Sequence, residues 1–275
     1  MKLRQIIDES SVKKHMVTMS FKLINYLEKN NSEIELIHET LRKYDMDNMI
    51  SYKILKTEEI GVEDNEIIKK LKKSVNYCFS ELYFMQKSTG EIEEIINFVQ
   101  IQKKWKEEKM KLIMGDDKNE DQLIDSVFEL DTIMKNDNLL NKKIPKTGSI
   151  PFQFPPIYEE EYSSTPTSVK LSLTNLYLMD ELILDLNVVF DEDENKLVFE
   201  GKEDKAFKVV EYQILLSKIL KIPEDVRMTL KIEADGYYEL EEETNLIKNG
   251  VLNLEIDVEE CINLKYTFEL KEIYE

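Results

Sequence analysis

Strict alternation of apolar and polar residues in the second half of the chain most constrains its fold. Four stretches show this pattern, about 182–190, 228–234, 252–258 and 264–270. A period of two is typical of strands with one buried face and one face in water. We therefore predict an antiparallel sheet there, with hairpin turns at Asp235-Gly236 and Asn249-Gly250. One helix, over about 209–219, interrupts the predicted sheet.

The first half carries helical patterns beside a segment of ambiguous type. About three helices are predicted, over 66–82, 98–114 and 120–136, because apolar residues recur there at helical spacing. For residues 17–55, strand and helix patterns fit almost equally, and both stay open. The predicted fold class is α+β: a mixed N-terminal half with about three helices, then a mainly antiparallel C-terminal half with one helix.

A cluster of prolines divides the chain. None precedes Pro145, and five of the six fall between Pro145 and Pro166. Proline fixes φ and removes a backbone donor, so this stretch cannot be a regular helix or a central strand. We predict a mixed α+β domain at 1–144, a proline-rich, aromatic and acidic connector at 145–167, and an acidic antiparallel β domain at 168–275.

The charge is split at the same place. Residues 1–150 carry 25 Lys and Arg against 27 Asp and Glu, whereas residues 151–275 carry 12 against 29, so the second part holds −17 of the net −19. A field of that sign repels nucleic acid and anionic lipid, and it attracts basic proteins. The sequence therefore predicts a basic protein partner, with no nucleic acid and no membrane among the ligands.

Catalytic and cofactor motifs are missing from the sequence. The seven glycines are never closer than 14 residues, so neither a dinucleotide-binding loop nor a P-loop can be written. The segment from Asp191 has the first spacing of a calcium loop, but Lys196 and Lys202 stand where that loop needs glycine and glutamate. A solvated hairpin tip is the preferred interpretation. We predict no catalytic residue, no cofactor and no metal site, and the protein is not expected to be an enzyme.

Two cysteines far apart, no run of about 18 apolar residues and no signal-peptide pattern predict a cytoplasmic protein. Candidate partner-binding residues are the aromatic and acidic side chains of the connector and the acidic tip. They are Phe152, Phe154, Tyr158, Glu159, Glu160, Glu161, Tyr162, Asp191, Glu192, Asp193 and Glu194. The connector aromatics either pin an extended segment to the protein surface or form a docking strip for a basic partner.

A short pattern resembles known bacterial sequences. Gly90-Glu91-Ile92, Ile96-Asn97, Trp105 and the lysine-rich helix that follows are similar to a pattern, over about residues 83–130, in uncharacterised cytoplasmic proteins of Bacteroidota-type, low-GC bacteria. The resemblance implies a bacterial cytoplasmic context. It implies no activity and assigns no functional residue.

Three classes of function remain. The first is a non-catalytic interaction protein whose acidic C-terminal half captures a basic partner, as immunity and inhibitor proteins do. The second is a structural or accessory subunit of a larger assembly. The third is an enzyme or small-ligand binder that uses carboxylates without a sequence signature.

Overall fold

A computed structural model describes residues 2–6, 11–27, 29–45, 48–61, 66–114, 120–176, 179–205, 209–220, 229–259 and 261–274. The strands are β1 Val12–Asn25, β2 Asn30–Tyr44, β3 Met49–Ile60, β4 Glu81–Gln86, β5 Ile92–Ile95, β6 Thr167–Leu176, β7 Met179–Asp191, β8 Lys196–Glu203, β9 Leu230–Leu240, β10 Ile247–Val258 and β11 Ile262–Glu272. The helices are α1 Glu66–Cys78, α2 Phe98–Ile113, α3 Glu120–Met134, α4 Asp137–Lys143, α5 Ile150–Gln153 and α6 Val209–Leu220, with a 3-10 turn at Ile144–Lys146.

All of these strands form a single antiparallel sheet, in the order β5-β4-β3-β2-β1-β11-β10-β9-β8-β7-β6. The antiparallel sheet predicted for the C-terminal half is confirmed, but the predicted α+β class is wrong. The described residues between 17 and 55, whose sequence fits strand and helix almost equally, lie mainly in the three long strands β1, β2 and β3 of that sheet. The described residues also form six helices instead of about four, because the short α4 and α5 follow no long apolar period.

The two halves of the chain join in the middle of the sheet. Strand β1 pairs with β11 along its length, from His15 opposite Glu272 to Asn25 opposite Ile262. The buried residues form two clusters, one mainly from strands of the C-terminal half and one mainly from α1–α4 and β3–β5. The division into units at 1–144, 145–167 and 168–275 remains a prediction.

The two predicted glycine turns are wrong. Asp235-Gly236 lies inside β9 and Asn249-Gly250 inside β10, and the chain reverses between these strands at residues 241–246. Both glycines lie opposite an aromatic residue of a neighbouring strand, Gly236 opposite Phe199 and Gly250 opposite Tyr238. Glycine in a strand often marks such a close approach of another group.

The space around Gly236 shows why a side chain is excluded there. A Cβ atom at this position would lie 2.0 Å from the Val251 carbonyl oxygen and 2.8 Å from Cζ of Phe199. At Gly250 it would lie 2.9 Å from Cδ1 of Tyr238. The glycines therefore allow large rings to cross the inner face of the sheet.

The sheet curves around a short stretch inside the proline cluster. The Phe152 ring stacks on Tyr238 of β9, with centroids 5.2 Å apart, and the Phe154 ring lies 5.8 Å from Phe84 of β4. Strands from both halves of the chain thus contact one short stretch. Residues 151–158 of the predicted connector are therefore largely buried in the interior.

Both edges of the sheet are covered by the same part of the chain. At the β5 edge, the Ile95 amide donates to Asn141 Oδ1 at 2.8 Å. At the β6 edge, Thr174 Oγ1 donates to the Lys146 carbonyl at 3.0 Å. A covered edge is protected from pairing with another chain. Residues 137–147 therefore bridge the two edge strands of the sheet, β5 and β6.

Candidate functional site

The acidic tip predicted at Asp191–Glu194 is the β7–β8 hairpin turn. Asp191 Oδ1 accepts hydrogen bonds from the amides of Asp193, at 3.0 Å, and Glu194, at 3.3 Å, which fixes the turn. The side chains of residues 192–194 are exposed. Lys196 pairs with Glu194 at 2.6 Å. The tip therefore presents its other carboxylates to water.

A second acidic turn lies directly beside this tip. The β9–β10 turn begins with Glu241, Glu242 and Glu243, and the last two are exposed. Two hydrogen bonds between Leu240 and Asn195 hold the two turns side by side. The Leu240 amide donates to the Asn195 carbonyl at 3.1 Å, and Asn195 Nδ2 donates to the Leu240 carbonyl at 2.8 Å. Sequence reasoning missed this turn because it placed the reversals at two glycines. The polar run from Glu241 to Asn245 between two alternating segments was the available signal.

The connector carboxylates lie at the same end of the sheet. Residues 2–6 link them to the β9–β10 turn, because the Leu3 amide donates to the Glu160 carbonyl at 3.0 Å and the Ile6 amide to the Thr244 carbonyl at 2.8 Å. Glu160 and Glu161 are exposed, and Glu159 pairs with Lys2 at 2.7 Å. We call this surface the acidic end. It consists of Glu159–Glu161, Asp191–Glu194 and Glu241–Glu243.

The predicted aromatic contact residues are not on this surface. Phe152 is 0% exposed, Phe154 3%, Tyr158 2% and Tyr162 1%. The Tyr158 hydroxyl donates to the Asn245 carbonyl at 3.0 Å. These side chains pack in the interior, so a docking strip built on them is not available to a partner. The structure therefore brings together the acidic part of the predicted site and separates it from the aromatic part.

One lysine links two carboxylates beneath the acidic end. Lys13 Nζ lies 2.7 Å from Glu241 Oε1 and 3.0 Å from Glu272 Oε1. Burial favours neutral Lys13, but the two carboxylates outweigh it and raise its pKa. Burial likewise opposes ionisation of Glu241, and the bonds from Lys13 and Thr244 outweigh it and lower its pKa. Glu241 is thus ionised, and its charge is balanced by Lys13.

Seven carboxylates of the acidic end form no ion pair among the described residues, and four of them, Glu192, Asp193, Glu242 and Glu243, are exposed on the two adjacent turns. Basic residues from the first 150 positions neutralise few acids of the second part. In the described chain these acids are Glu159, Glu181, Glu241 and Glu272.

A cleft of about 350 Å³ opens between the two turns. Its carboxylate-bearing wall consists of Glu194, Glu239, Glu241, Glu242, Glu243 and Glu272, and it also contains Lys248 and Tyr274. The Asn249 amide and Lys248 lower the pKa of Glu239. Within the described ranges, no group of three or more His, Cys, Asp and Glu side chains is arranged to hold a metal ion. The cleft has room and charge for lysine or arginine side chains of a partner.

No helix in the described part of the chain is both long and apolar enough to cross a bilayer. No protein-family model matches the chain, and no curated protein matches it. A solved structure described as lipid–protein interactions in lipovitellin is similar over 96% of this chain and 25% of that chain, with 8% sequence identity and a TM-score of 0.47. The chain spans about a quarter of that protein's length.

Proposed function

We propose that this is a non-catalytic, cytoplasmic bacterial protein that binds a basic protein partner through the acidic end, as an immunity or inhibitor protein would. The observation that supports the proposal is the juxtaposition of two turns that carry Glu192, Asp193, Glu242 and Glu243 without neutralising partners among the described residues. Like charges held close together create a strong local field.

Such a field selects the partner more than it strengthens the complex. Complementary charge speeds encounter and disfavours wrong partners, whereas the affinity of an ion pair at the rim is small. Nucleic acid would be repelled because it is a polyanion. The partner is therefore a protein with clustered lysine or arginine, and its side chains would enter the cleft between the turns.

The test uses poly-L-lysine as a defined cationic probe. Binding is measured by fluorescence anisotropy at about 50 mM and about 300 mM NaCl, where the screening length differs more than twofold. We expect the affinity to fall at least about tenfold across that range, which corresponds to about 1.4 kcal/mol. The double variant Glu242→Lys/Glu243→Lys should weaken binding by a similar factor at low salt.

The matched control carries the same charge change elsewhere. Asp125 and Glu129 are exposed one turn apart on α3. Asp125→Lys/Glu129→Lys should leave probe binding within about twofold of the parent protein, because these positions are outside the acidic end. Equal weakening by both double variants would show that only net charge matters, and the proposed site would be rejected. A pull-down from the native host at both salt concentrations would then identify the partner.

An accessory subunit of a larger assembly is the second candidate. Helix α6 buries Tyr212 and Leu216, yet Val210 is 66% exposed, Ile214 50% and Leu215 40%. A helix that is apolar on most sides is usually covered. If this function is correct, co-assembly would be insensitive to salt and would be lost in Ile214→Lys.

A further inference from the structure

Helices α1 and α2 carry charge of the opposite sign to the rest of the molecule. Together they contain nine lysines against three glutamates, a balance of +6 in a chain of net charge −19. The acidic end, in contrast, consists of turns at the ends of strands. The chain thus presents two surfaces of opposite sign on separate elements.

The lysines are organised around one exposed ring. Tyr77, near the end of α1, is 47% exposed. Lys104 Nζ lies 5.4 Å from the centroid of its ring and Lys111 Nζ 5.8 Å, both from α2. Lys73 is exposed one turn before Tyr77. We call these four residues, Lys73, Tyr77, Lys104 and Lys111, the lysine seam.

Contacts between the helices hold the seam in place. Ser74 donates to Glu108 Oε2 at 3.0 Å, and Glu108 also pairs with Lys111. The hydrogen bond from Lys111 lowers the pKa of Glu108, with a smaller contribution from the charge of Lys73. Lys104 Nζ donates to Ser80 Oγ at 3.2 Å. Glu108 thus offsets part of the charge of Lys111 and Lys73, and the seam keeps a positive excess.

The seam differs from an ordinary solvated helix face. An ammonium group over a tyrosine ring gains a cation–π interaction, which restricts lysine side chains that would otherwise be mobile. A rigid aromatic ring also supplies contact area at little entropic cost. Binding a carboxylate-bearing loop would therefore lose less conformational entropy here than at isolated lysines.

We propose that the lysine seam binds the acidic end of a second copy of this chain. The proposal rests on the acidic end being the binding surface of the proposed function. Charge complementarity identifies the occupant: three lysines of the seam face one adjacent carboxylate, Glu108, whereas seven carboxylates of the acidic end form no ion pair among the described residues. Within one described chain, the polar contacts of Lys104 and Lys111 go to Ser80 and Glu108, not to the acidic end.

This contact joins two different surfaces, so it is head-to-tail. Such contacts extend into larger oligomers or close into rings, unlike the two-fold contacts of symmetric dimers. A basic partner would then compete with the seam of a neighbouring copy for the same acidic end. Self-association would hold the binding surface occupied until a more basic partner displaces it.

The test is a complementation experiment by sedimentation velocity, over about a hundredfold range of protein concentration. The seam variant is Lys73→Gln/Lys104→Gln/Lys111→Gln, and the acidic-end variant is Glu192→Gln/Glu242→Gln/Glu243→Gln. We expect the parent protein to self-associate at about 50 mM NaCl and to dissociate at about 300 mM. Each variant alone should associate at least about tenfold more weakly. Their equimolar mixture should form a dimer of one copy of each and stop there, because only one intact surface of each kind remains.

The matched control removes three lysines from the same two helices outside the seam. Lys69, Lys103 and Lys106 are exposed, and Lys69→Gln/Lys103→Gln/Lys106→Gln should associate as the parent does. A monomeric parent protein at low salt, equal loss in the control, or a mixture that stays monomeric would each overturn the proposal. Poly-L-lysine binding distinguishes self-association from the proposed function. If the parent protein is monomeric but still binds the probe at the acidic end, self-association is rejected and the proposed function is retained. If the parent protein does not bind the probe at the acidic end, the proposed function is rejected as well.

Discussion

Arg42 and Gln153 meet in the interior, where Arg42 Nη2 donates a 2.8 Å hydrogen bond to Gln153 Oε1. The arginine is 0% exposed, and its guanidinium carbon lies 5.0 Å from the centre of the Phe154 ring. Arg42 belongs to β2, and Gln153 ends the short helix α5. A buried cation thus links the sheet to the segment that the sheet surrounds.

The first prediction concerns this pair. Gln153→Leu should lower the free energy of unfolding by about 3 kcal/mol, because a buried charged donor loses its acceptor. Arg42→Met/Gln153→Leu should cost less than the sum of the two single changes, since no buried charge is then left without a partner. Urea denaturation of all four proteins measures the coupling. Additive costs would contradict the interaction.

The second prediction ranks two glycines. Gly236→Ala should destabilise the protein by more than about 2 kcal/mol, because the new Cβ would meet a backbone oxygen that cannot move aside. Gly250→Ala should cost less, since its closest contact is with the ring of Tyr238. Thermal and urea unfolding of the two variants give the order. The reverse order would contradict the packing described for β9 and β10.

The third prediction is a pH dependence of stability due to His15. Burial, with the charge of Arg42 as a second cause, lowers the pKa of His15 from 6.5 to about 2. The unfolded chain therefore binds a proton below about pH 6.5 that the folded chain does not, so stability falls as the pH falls. From pH 6.5 to pH 5 the loss should approach about 2 kcal/mol.

The variant His15→Gln should reduce this slope, measured as the change in unfolding free energy between pH 7 and pH 5. Part of the slope should remain, because burial also lowers the pKa of His38. The neighbouring Lys13, whose pKa is raised, stays charged across that window. An unchanged slope in the variant would show that His15 binds its proton equally in the folded and unfolded protein.

The fourth prediction concerns the carboxylate that joins α2 to α3. Asp131 Oδ1 accepts from Trp105 Nε1 at 3.1 Å, and Oδ2 accepts from Lys109 at 2.7 Å and Lys135 at 2.6 Å. Burial opposes its ionisation, but these donors outweigh it and lower its pKa to about 2. Asp131→Ala should cost about 2–3 kcal/mol because the indole and the lysines lose their acceptor.

Fluorescence is a direct probe of this site because Trp105 is the only tryptophan. The exposed Asp125 on the same helix provides the control, and Asp125→Ala should change the unfolding free energy by less than about 0.5 kcal/mol. Comparable costs for the two substitutions would show that the Asp131 cluster does not stabilise the helical layer.

Local periodicity predicted individual strands and helices but not how they assemble. The alternation from Leu182 to Phe190 indicates a strand with one buried face, and β7 has that burial pattern. Nothing local predicts that β1 pairs with β11, since that pairing joins residues from opposite ends of the sequence. Asn249-Gly250 shows the opposite failure: the dipeptide fits a turn, but packing against Tyr238 and Phe152 places it inside a strand.

The candidate site was partly predictable for the same reason. Acidic runs such as Asp191–Glu194 are visible in the sequence, and a charged run at a turn is exposed whatever the fold. The neighbouring Glu242 and Glu243 became part of the site only through the pairing of β8 with β9. The burial of Phe152 and Tyr158 could not be predicted, because it depends on how the whole sheet curves around them and not on the local sequence.

The pairing of β1 with β11 also sets the order of events during synthesis. Residues 12–25 leave the ribosome long before residues 262–272. The edge of β1 that pairs with β11 therefore has no hydrogen-bond partner while most of the chain is translated. Pairing so distant in sequence slows folding and leaves a strand open to wrong partners. Chaperone binding to the nascent chain should therefore persist until β11 emerges. Truncation before residue 262 should leave β1 and β10 without the strand that lies between them.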